Sequence, residues 1–388
     1  MTETSRSEGP TPAREGAGRS AETPVSLEKK SVSLVKAPAS LLKAPVSFFR
    51  TGGPGAGGGG GAQRTLASGA GAAAVRGPGE MRHLGLVAAL VLLALVGVVT
   101  RPDSFVSDDN MVAILVLAST IGVITVGQTF VIIGGGIDLS VGSVMALASV
   151  WATTVASQEY GPAVMAMCAI LVGTGAGVVN GLLISYGRLV PFIATLAMLV
   201  AARGLAQRMS DRRTQLIRPE NDALVELSTT RFLGLPLLVY IFAAVALAGW
   251  TLLNLTTFGR RTFAVGGNPE AARLAGIDIR RHTLMLYALS GFCCGIAAII
   301  IMARTTTGSS THGELYELDA IAAVIIGGTL LTGGRGTVTG SILGVLIFTM
   351  ITNLFILNGL QTSDQLIAKG AIIVGAVLLQ RRGLRSPT

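Results

Sequence analysis

Charge is scarce in this 388-residue sequence: only 13% of its residues are charged and 5% aromatic. A soluble globular chain carries about 25% charged residues, so the deficit excludes an ordinary soluble enzyme. The three cysteines, Cys168, Cys293 and Cys294, all sit in apolar runs and read as small buried hydrophobes. The three histidines, His83, His282 and His312, stand apart, and neither Cys-x-x-Cys nor His-x-x-x-His occurs. No metal site is therefore expected. A Gly-x-x-x-x-Gly-Lys-Ser/Thr phosphate loop is missing, so the chain has no ATPase site of that kind. No Ser–His pair, His-Glu-x-x-His or carboxylate dyad stands out, which weakens an intramembrane enzyme.

What the sequence has instead is apolar length. Half of its residues are apolar, and its mean hydropathy is +0.64. About 20 apolar residues of helix cross roughly 30 Å of hydrocarbon, and runs of that size recur from Leu84 onward. The fold class expected is an all-α integral membrane protein. The net charge of +9 does not point to nucleic acid. Residues 1–82 hold 11 Lys+Arg and 6 Asp+Glu, and so contribute +5 of it.

Residues 1–82 form a separate regime, rich in Gly, Ala, Ser, Thr and Pro, with Gly52–Gly61 nearly all glycine. Such a segment buries too little apolar surface to offset its ordering entropy, and a disordered tail is expected. Residues 83–388 form the membrane domain. Ten spans are expected, at 84–100, 111–133, 141–157, 162–185, 190–209, 235–255, 283–303, 318–333, 337–357 and 365–380. Flanking basic residues set orientation. They put both termini inside, together with the loop that carries Arg260, Arg261, Arg273, Arg280 and Arg281. The loop between spans five and six then falls outside, yet it carries Arg212, Arg213, Arg218 and Arg231. Either the count is off by one there, or those arginines have a reason to be outside.

Gly173, Gly177 and Gly181 recur every fourth residue in span four, and Gly336, Gly340 and Gly344 do so at span nine. Such rows let helix backbones approach closely. Their offset of five spans suggests that spans two to five and seven to ten are inverted repeats with a pathway between them. Two breaks interrupt the apolar pattern. The first is Gly134-Gly135-Gly136-Ile-Asp138-Leu-Ser140-Val-Gly142, where Asp138 or Ser140 can cap the next helix. The second runs from Gly327-Gly328 to Gly333-Gly334-Arg335-Gly336. Irregular backbone at membrane depth needs protein or water to satisfy it, and a carboxylate there is a functional candidate. The polar residues available to a pathway are Asp138, Ser140, Asn180, Arg203, Glu317 and Asp319, with Gly135, Gly142, Gly327 and Gly328 as hinges. For Arg203 a carboxylate partner is the competing structural role. For Glu317 and Asp319 it is capping of span eight.

The stretch from Thr257 to Ile277 contains a complete short helix. Asn268 supplies the N-cap, Pro269 the first helical position and Glu270 a charge for the positive end. Gly276 closes it in a left-handed conformation. A helix this short does not stand alone in water, so it packs on a partner's cleft or on its own membrane domain. The residues assigned to this element are Gly259, Arg260, Gly267, Asn268, Pro269, Glu270, Ala271, Arg273 and Gly276.

Three motifs now carry a resemblance. They are Gly135-Gly-Ile-Asp138-Leu-Ser-Val-Gly142-Ser, the Gly-Gly-Asn268-Pro-Glu-Ala-Ala-Arg273-Leu-Ala-Gly276-Ile loop, and Tyr316-Glu-Leu-Asp319-Ala-Ile-Ala-Ala-Val with Gly327-Gly-Thr and Gly333-Gly-Arg-Gly336. Together with Pro191-Phe-Ile-Ala-Thr-Leu and Arg203-Gly204, they span most of the membrane region. The sequence resembles the permease subunits of bacterial ATP-binding-cassette importers for monosaccharides, of the ribose type, within the sugar and branched-chain amino acid permease superfamily. The last motif looks more like the sugar branch. The tail lies outside the resemblance, and Gln207–Gln215 reads more charged than the family pattern.

The resemblance implies a bacterial inner-membrane protein that pairs with a second permease copy. It also implies a cytoplasmic ATPase subunit pushing on the helix near 269–275, and an extracytoplasmic sugar-binding protein. The chain itself would hold no cofactor, since ATP is used by the partner. Arg212, Arg213, Arg218, Arg231 and Arg304 then become candidates to meet acidic patches on the binding protein. A nucleoside, an autoinducer sugar or a branched-chain amino acid stays open as cargo on the same scaffold. A secondary carrier is the alternative of a different class, although it has no need of a capped docking helix.

Overall fold

The computed structural model describes residues 78–383. The expected tail falls outside them except for residues 78–82, which already belong to the first helix. Helix α1 covers Pro78–Thr100, and α2 (Pro102–Phe105) is a single turn. The bundle continues with α3 (Asp108–Ile133), α4 (Val141–Ala152), α5 (Val155–Glu159), α6 (Pro162–Ser185) and α7 (Pro191–Met209). After a compact insertion containing α8 (Asp222–Thr229) come α9 (Leu237–Leu255), α10 (Thr257–Gly267) and α11 (Pro269–Leu274). The chain then forms α12 (Ile279–Thr305), α13 (Tyr316–Ile326), α14 (Val338–Leu357) and α15 (Thr362–Gly383). Strand structure among the described residues is confined to two-residue pieces. Strand β1 (Gln215–Leu216) pairs antiparallel with β4 (Thr307–Gly308), and β2 (Arg231–Phe232) pairs with β3 (Leu235–Pro236).

Local chemistry sets many of the helix starts. Ser107, Thr154, Thr256, Asn268, Asp278 and Thr337 each accept a backbone N–H from the first turn of the helix they precede. These bonds satisfy donors that have no partner within the helix. Proline opens α2, α6, α7 and α11, where its missing N–H costs nothing.

Seven helices among the described residues are long and apolar enough to cross a membrane: α1 from His83, then α3, α6, α7, α9, α12 and α14. Each of the ten expected spans finds a helix, but two of them are too short to cross. The run expected at 141–157 is 12 residues of α4 followed by α5, and the run expected at 318–333 is the 11-residue α13. At about 1.5 Å per residue each covers roughly half of a 30 Å core. A non-helical segment precedes each one, residues 134–140 before α4 and 306–315 before α13. The expected span 365–380 falls within α15, which is not among the seven.

The long helices α3 and α12 are the most buried and form the centre. Packing repeats between the halves. Helix α6 lies on α4 and crosses to α12, while α14 lies on α13 and crosses to α3. The two glycine rows do not follow that exchange. Gly173 and Gly177 press on the Gly291 and Tyr287 backbone of α12, with Gly291 and Gly295 answering from the opposite side. Gly340 and Gly344 instead press on Gly327 and Ala323 of α13, within their own half. The rows are therefore not equivalent copies, although the helices that carry them occupy matching places.

Candidate functional site

The first break is knitted together by four helices. Asp138 is 2% exposed. Its Oδ1 accepts the Ser140 N–H at 2.9 Å and the Ser140 hydroxyl at 2.6 Å, and its Oδ2 accepts the Ser290 hydroxyl of α12 at 2.9 Å. The Asn180 amide of α6 donates to Ser140 Oγ at 2.9 Å. Thr195 of α7 and Tyr287 of α12 both donate to the Ile137 carbonyl at 3.3 Å. The Gln128 amide of α3, with its nitrogen toward the Asp138 carbonyl, donates at 3.2 Å and accepts the Asp138 N–H at 3.3 Å. The protein itself thus satisfies the irregular backbone, as burial at membrane depth requires. The N-cap expected of Asp138 or Ser140 is not formed: Ser140 precedes α4 but makes no side-chain cap. Its hydroxyl is already committed to Asp138 and Asn180.

The N-terminus of α13 meets that of α4 inside the bundle. Gly142 packs on the Gly313 carbonyl and on Glu317 Oε2, leaving no room for a side chain. Glu317 and Asp319 lie in the first turn of α13, as expected, but α13 has no side-chain cap. Asp319 is ion-paired with Lys369 of α15 at 3.0 Å, and Glu317 Oε2 has no hydrogen-bond partner. Arg203 forms no hydrogen-bonded pair with a carboxylate, although the charges of Glu317 and Glu314 act on it. Its Nη1 donates to the Ser310 and His312 carbonyls, the latter at 2.9 Å, and so holds the non-helical segment from α7. Asn180 Oδ1 is also without a partner. Two free acceptors, on Asn180 and Glu317, therefore flank the first turn of α4.

The predicted short helix forms as α11. Asn268 Oδ1 accepts the Ala271 N–H at 3.0 Å, and Glu270 and Arg273 pair at 2.6 Å on its exposed side. Gly276 has φ +82°, and the Ile277 N–H returns to the Ala272 carbonyl at 3.1 Å. Ala272 is buried toward the bundle, while Ala271 and Leu274 face outward, Leu274 with 78% exposure. Clefts of about 350 and 600 Å³ lie beyond the C-terminal end of the helix, one lined by Arg261 and Arg281, the other by Arg273 and Arg280, with Asp278 lining both. Arg260 is exposed, and Gly259 lies against the Leu253 backbone.

Directly behind α11 three backbones meet. Gly266 packs on the Ile133 carbonyl at the end of α3, and that carbonyl accepts the Gly334 N–H at 2.8 Å. Gly333 packs against Gly135 and Gly266, and Gly334 against Gly267. The end of α10 therefore rests on both breaks at once. A cavity of about 190 Å³ between Gly134–Gly136 and Pro269 adjoins this junction. Of the second break, Gly327 packs on the Gly340 backbone and Gly328 turns the chain with φ +91°.

The predicted external arginines lie at the other end of α12. The β1–β4 pairing joins their loop to the segment after α12, whereas α11 packs near the start of that helix. Arg212 and Arg213 are exposed, with Arg212 at φ +57°. The Arg218 N–H donates to Gln158 at 2.8 Å, Arg231 pairs with Asp109 at 3.5 Å, and Arg304 interacts with Tyr316. These five arginines do not form one cluster of free charge: two are engaged through their side chains, and one through its backbone.

Sequence reasoning missed Gln128, Thr195, Tyr287, Ser290 and Lys369. Each is a polar residue inside a largely apolar run, Tyr287 and Ser290 in the same one, and that polarity was the available signal. Among the described residues no group of three or more His, Cys, Asp or Glu is placed to hold a metal.

Residues 110–379 match the family described as branched-chain amino acid transport system / permease component. The ribose import permease of Bacillus subtilis strain 168 is 38% identical over 304 residues, 78% of this chain and 94% of that protein. The ribose import permease of Escherichia coli K12 is 36% identical over 309 residues, 78% of this chain and 94% of that protein. The galactose/methyl galactoside import permease of the same strain is 36% identical over 310 residues, 75% of this chain and 92% of that protein. No solved structure matches. The chain belongs to this permease family and is a multi-pass membrane protein.

Proposed function

We propose that this family member is the membrane subunit of an ATP-binding-cassette importer that carries a monosaccharide of the ribose type into the cytoplasm. The observation that carries the reading is the triple glycine contact behind α11. A stroke on α11 reaches the first break through Gly135 and the second through Gly333–Gly334, with no side chain in between. Those breaks lead to the two half-length helices whose ends meet at Gly142 and Gly313. The exposed Leu274 and the neighbouring arginine-lined clefts suit a partner with an apolar groove and acidic side chains.

In this reading a cytoplasmic ATPase subunit supplies the stroke, and the permease chain holds no cofactor. An extracytoplasmic binding protein supplies most of the selectivity. Two copies of the chain form the passage. Residues 1–82 act as a cytoplasmic tail, and residues 83–388 as the permease domain. Both termini lie on the α11 side, and nucleic acid plays no part. The two free acceptors beside α4 suit the hydroxyl donors of a passing sugar, which is held loosely enough to be released. The capped α11 and its contacts favour this over a secondary carrier.

Proteoliposomes containing this chain, its ATPase and its binding protein are expected to accumulate radiolabelled ribose only with ATP. Arg273→Glu is expected to cut uptake at least tenfold, because it turns the basic side chain proposed to meet the partner's acidic residues into one that repels them; loss of the exposed Glu270 pair adds little. Ribose entry with this chain alone and no nucleotide would overturn the reading.

The exposed Arg212 and Arg213 are proposed to meet acidic residues of the binding protein. Reversing both to Glu is expected to lower binding-protein stimulation of ATPase activity several-fold, with a steeper loss at low salt. Unchanged stimulation at every ionic strength counts against that role.

A further inference from the structure

Lys369 is the one lysine in residues 83–388; the other four lie at positions 29, 30, 36 and 43. It sits seven residues beyond the start of α15, about 10 Å along the helix at ~1.5 Å per residue. A lysine near a helix end ordinarily extends its amine to the interface. Lys369 turns inward instead. Its Nζ lies 3.0 Å from Asp319 Oδ2 and 5.0 Å from the centre of the Phe348 ring of α14. The Lys369 and Asp319 side chains are only 18% and 7% exposed.

The rest of α15 is thinly attached. Its described contacts are mainly to α13, and Leu366, Ile367, Val374 and Leu378 are exposed. The helix α13, in turn, begins without a side-chain cap, directly after Leu315 at φ +65°. A non-glycine residue in that region is strained and needs its surroundings to hold it. Asp319 sits in this uncapped first turn, and its N–H bonds to the Leu315 carbonyl at 3.2 Å. In the same turn Glu317, together with Gly313 just ahead of the helix, forms the contact with Gly142.

We infer that Lys369 is a positioning residue for transport: by pairing with Asp319 it ties α15 to the first turn of α13 and so fixes the junction between the two half-length helices. The inference rests on the proposed importer function, because that function makes the α4–α13 junction part of the passage. A charge pair is directional, whereas an apolar contact at the same place would let α13 rotate about its axis. The pair therefore sets which way Glu317 faces.

The experiment uses the complete transporter with ribose as probe and compares Lys369→Met, Lys369→Arg, the neutral double variant Asp319→Asn/Lys369→Met and the exchange Asp319→Lys/Lys369→Asp. Lys369→Met is expected to lower uptake at least tenfold while ATP turnover stays within twofold, so that sugar moved per ATP falls. Lys369→Arg and the exchange are expected to recover at least a third of wild-type uptake. The neutral double variant removes the unpaired charge, so it keeps the test valid if Lys369→Met does not accumulate. It is expected to reach normal abundance and still transport tenfold less.

Wild-type uptake by the neutral double variant would show mere charge compensation and overturn the inference. So would an exchange variant no better than Lys369→Met at equal abundance. A wild-type complex that moves no ribose counts against the proposed function instead. In that case the sugar-independent readout is amide exchange at residues 313–319. It is expected to quicken at least tenfold in the neutral double variant and to stay unchanged in Lys369→Arg; equal protection in all variants would overturn the inference.

Discussion

Gly266→Val is expected to abolish most uptake, by roughly 100-fold, while the chain still reaches the membrane. Gly266 closes α10, and a Cβ there would run into the Ile133 carbonyl and stand 2.7 Å from the Gly334 nitrogen. Both neighbours are backbone, so no rotamer change relieves the clash. The Ile133 carbonyl cannot retreat without giving up its 2.8 Å bond from Gly334. Overpacking costs about 1–3 kcal/mol in ordinary cores, and the upper end is appropriate where only backbone can yield. Each 1.4 kcal/mol taken from the competent geometry is about tenfold in population, so two such steps give the expected loss. Gly175→Val is the control: no atom lies within 4 Å of its Cβ position, and uptake is expected to stay within twofold. The measurement is initial uptake per unit of membrane-inserted protein, alongside capture of the ATPase by purified permease. Gly266→Val uptake above half of wild type would remove the glycine junction from the mechanism.

What could be read from sequence follows from how local the determinants are. The helix α11 was legible residue by residue. Asn268, Pro269, Glu270 and Gly276 act on atoms within four or five positions of themselves, and the observed caps are those bonds. The first break was legible for the same reason, since three consecutive glycines end α3 wherever α3 packs. The shortening of α13 was legible only in part: the break at Gly327-Gly328 was marked, yet the span was carried to residue 333, past the point where Gly328 turns the chain at φ +91° and Gly327 packs on the Gly340 backbone. The partners of Arg203 were hidden, because they are carbonyls of Ser310 and His312. Backbone acceptors belong to every residue and leave no signature in a sequence. Lys369 and Asp319 stand 50 positions apart, and only the packing of α15 on α13 joins them. The glycines at 291 and 295 were as visible as those at 173 and 177, but which row met which required the fold.

The second large effect is expected at Asp138, and two substitutions there separate bonding from charge. Asp138→Ala removes the acceptor for three donors at once: the Ser140 N–H, the Ser140 hydroxyl and the Ser290 hydroxyl. Each buried donor left unpaired costs about 1–3 kcal/mol; two of the three lie in a seven-residue segment without helical hydrogen bonds of its own, and the third in α12. Asn180 then donates to a serine hydroxyl that has lost its own acceptor, so the disturbance reaches α6. Uptake is expected to fall more than 100-fold, with faster amide exchange through residues 134–145. Asp138→Asn behaves differently on geometric grounds. Its amide oxygen can still accept both bonds from Ser140. Its nitrogen then faces the Ser290 hydroxyl, which can rotate and accept instead of donating. Every polar group keeps a partner, so Asn is expected to retain uptake within about tenfold of wild type, an interval set by one 1.4 kcal/mol step. If Asn proves as inactive as Ala while exchange at 134–145 stays slow, the segment is held without the carboxylate. The negative charge itself, and not its bonds, would then be what the passage requires.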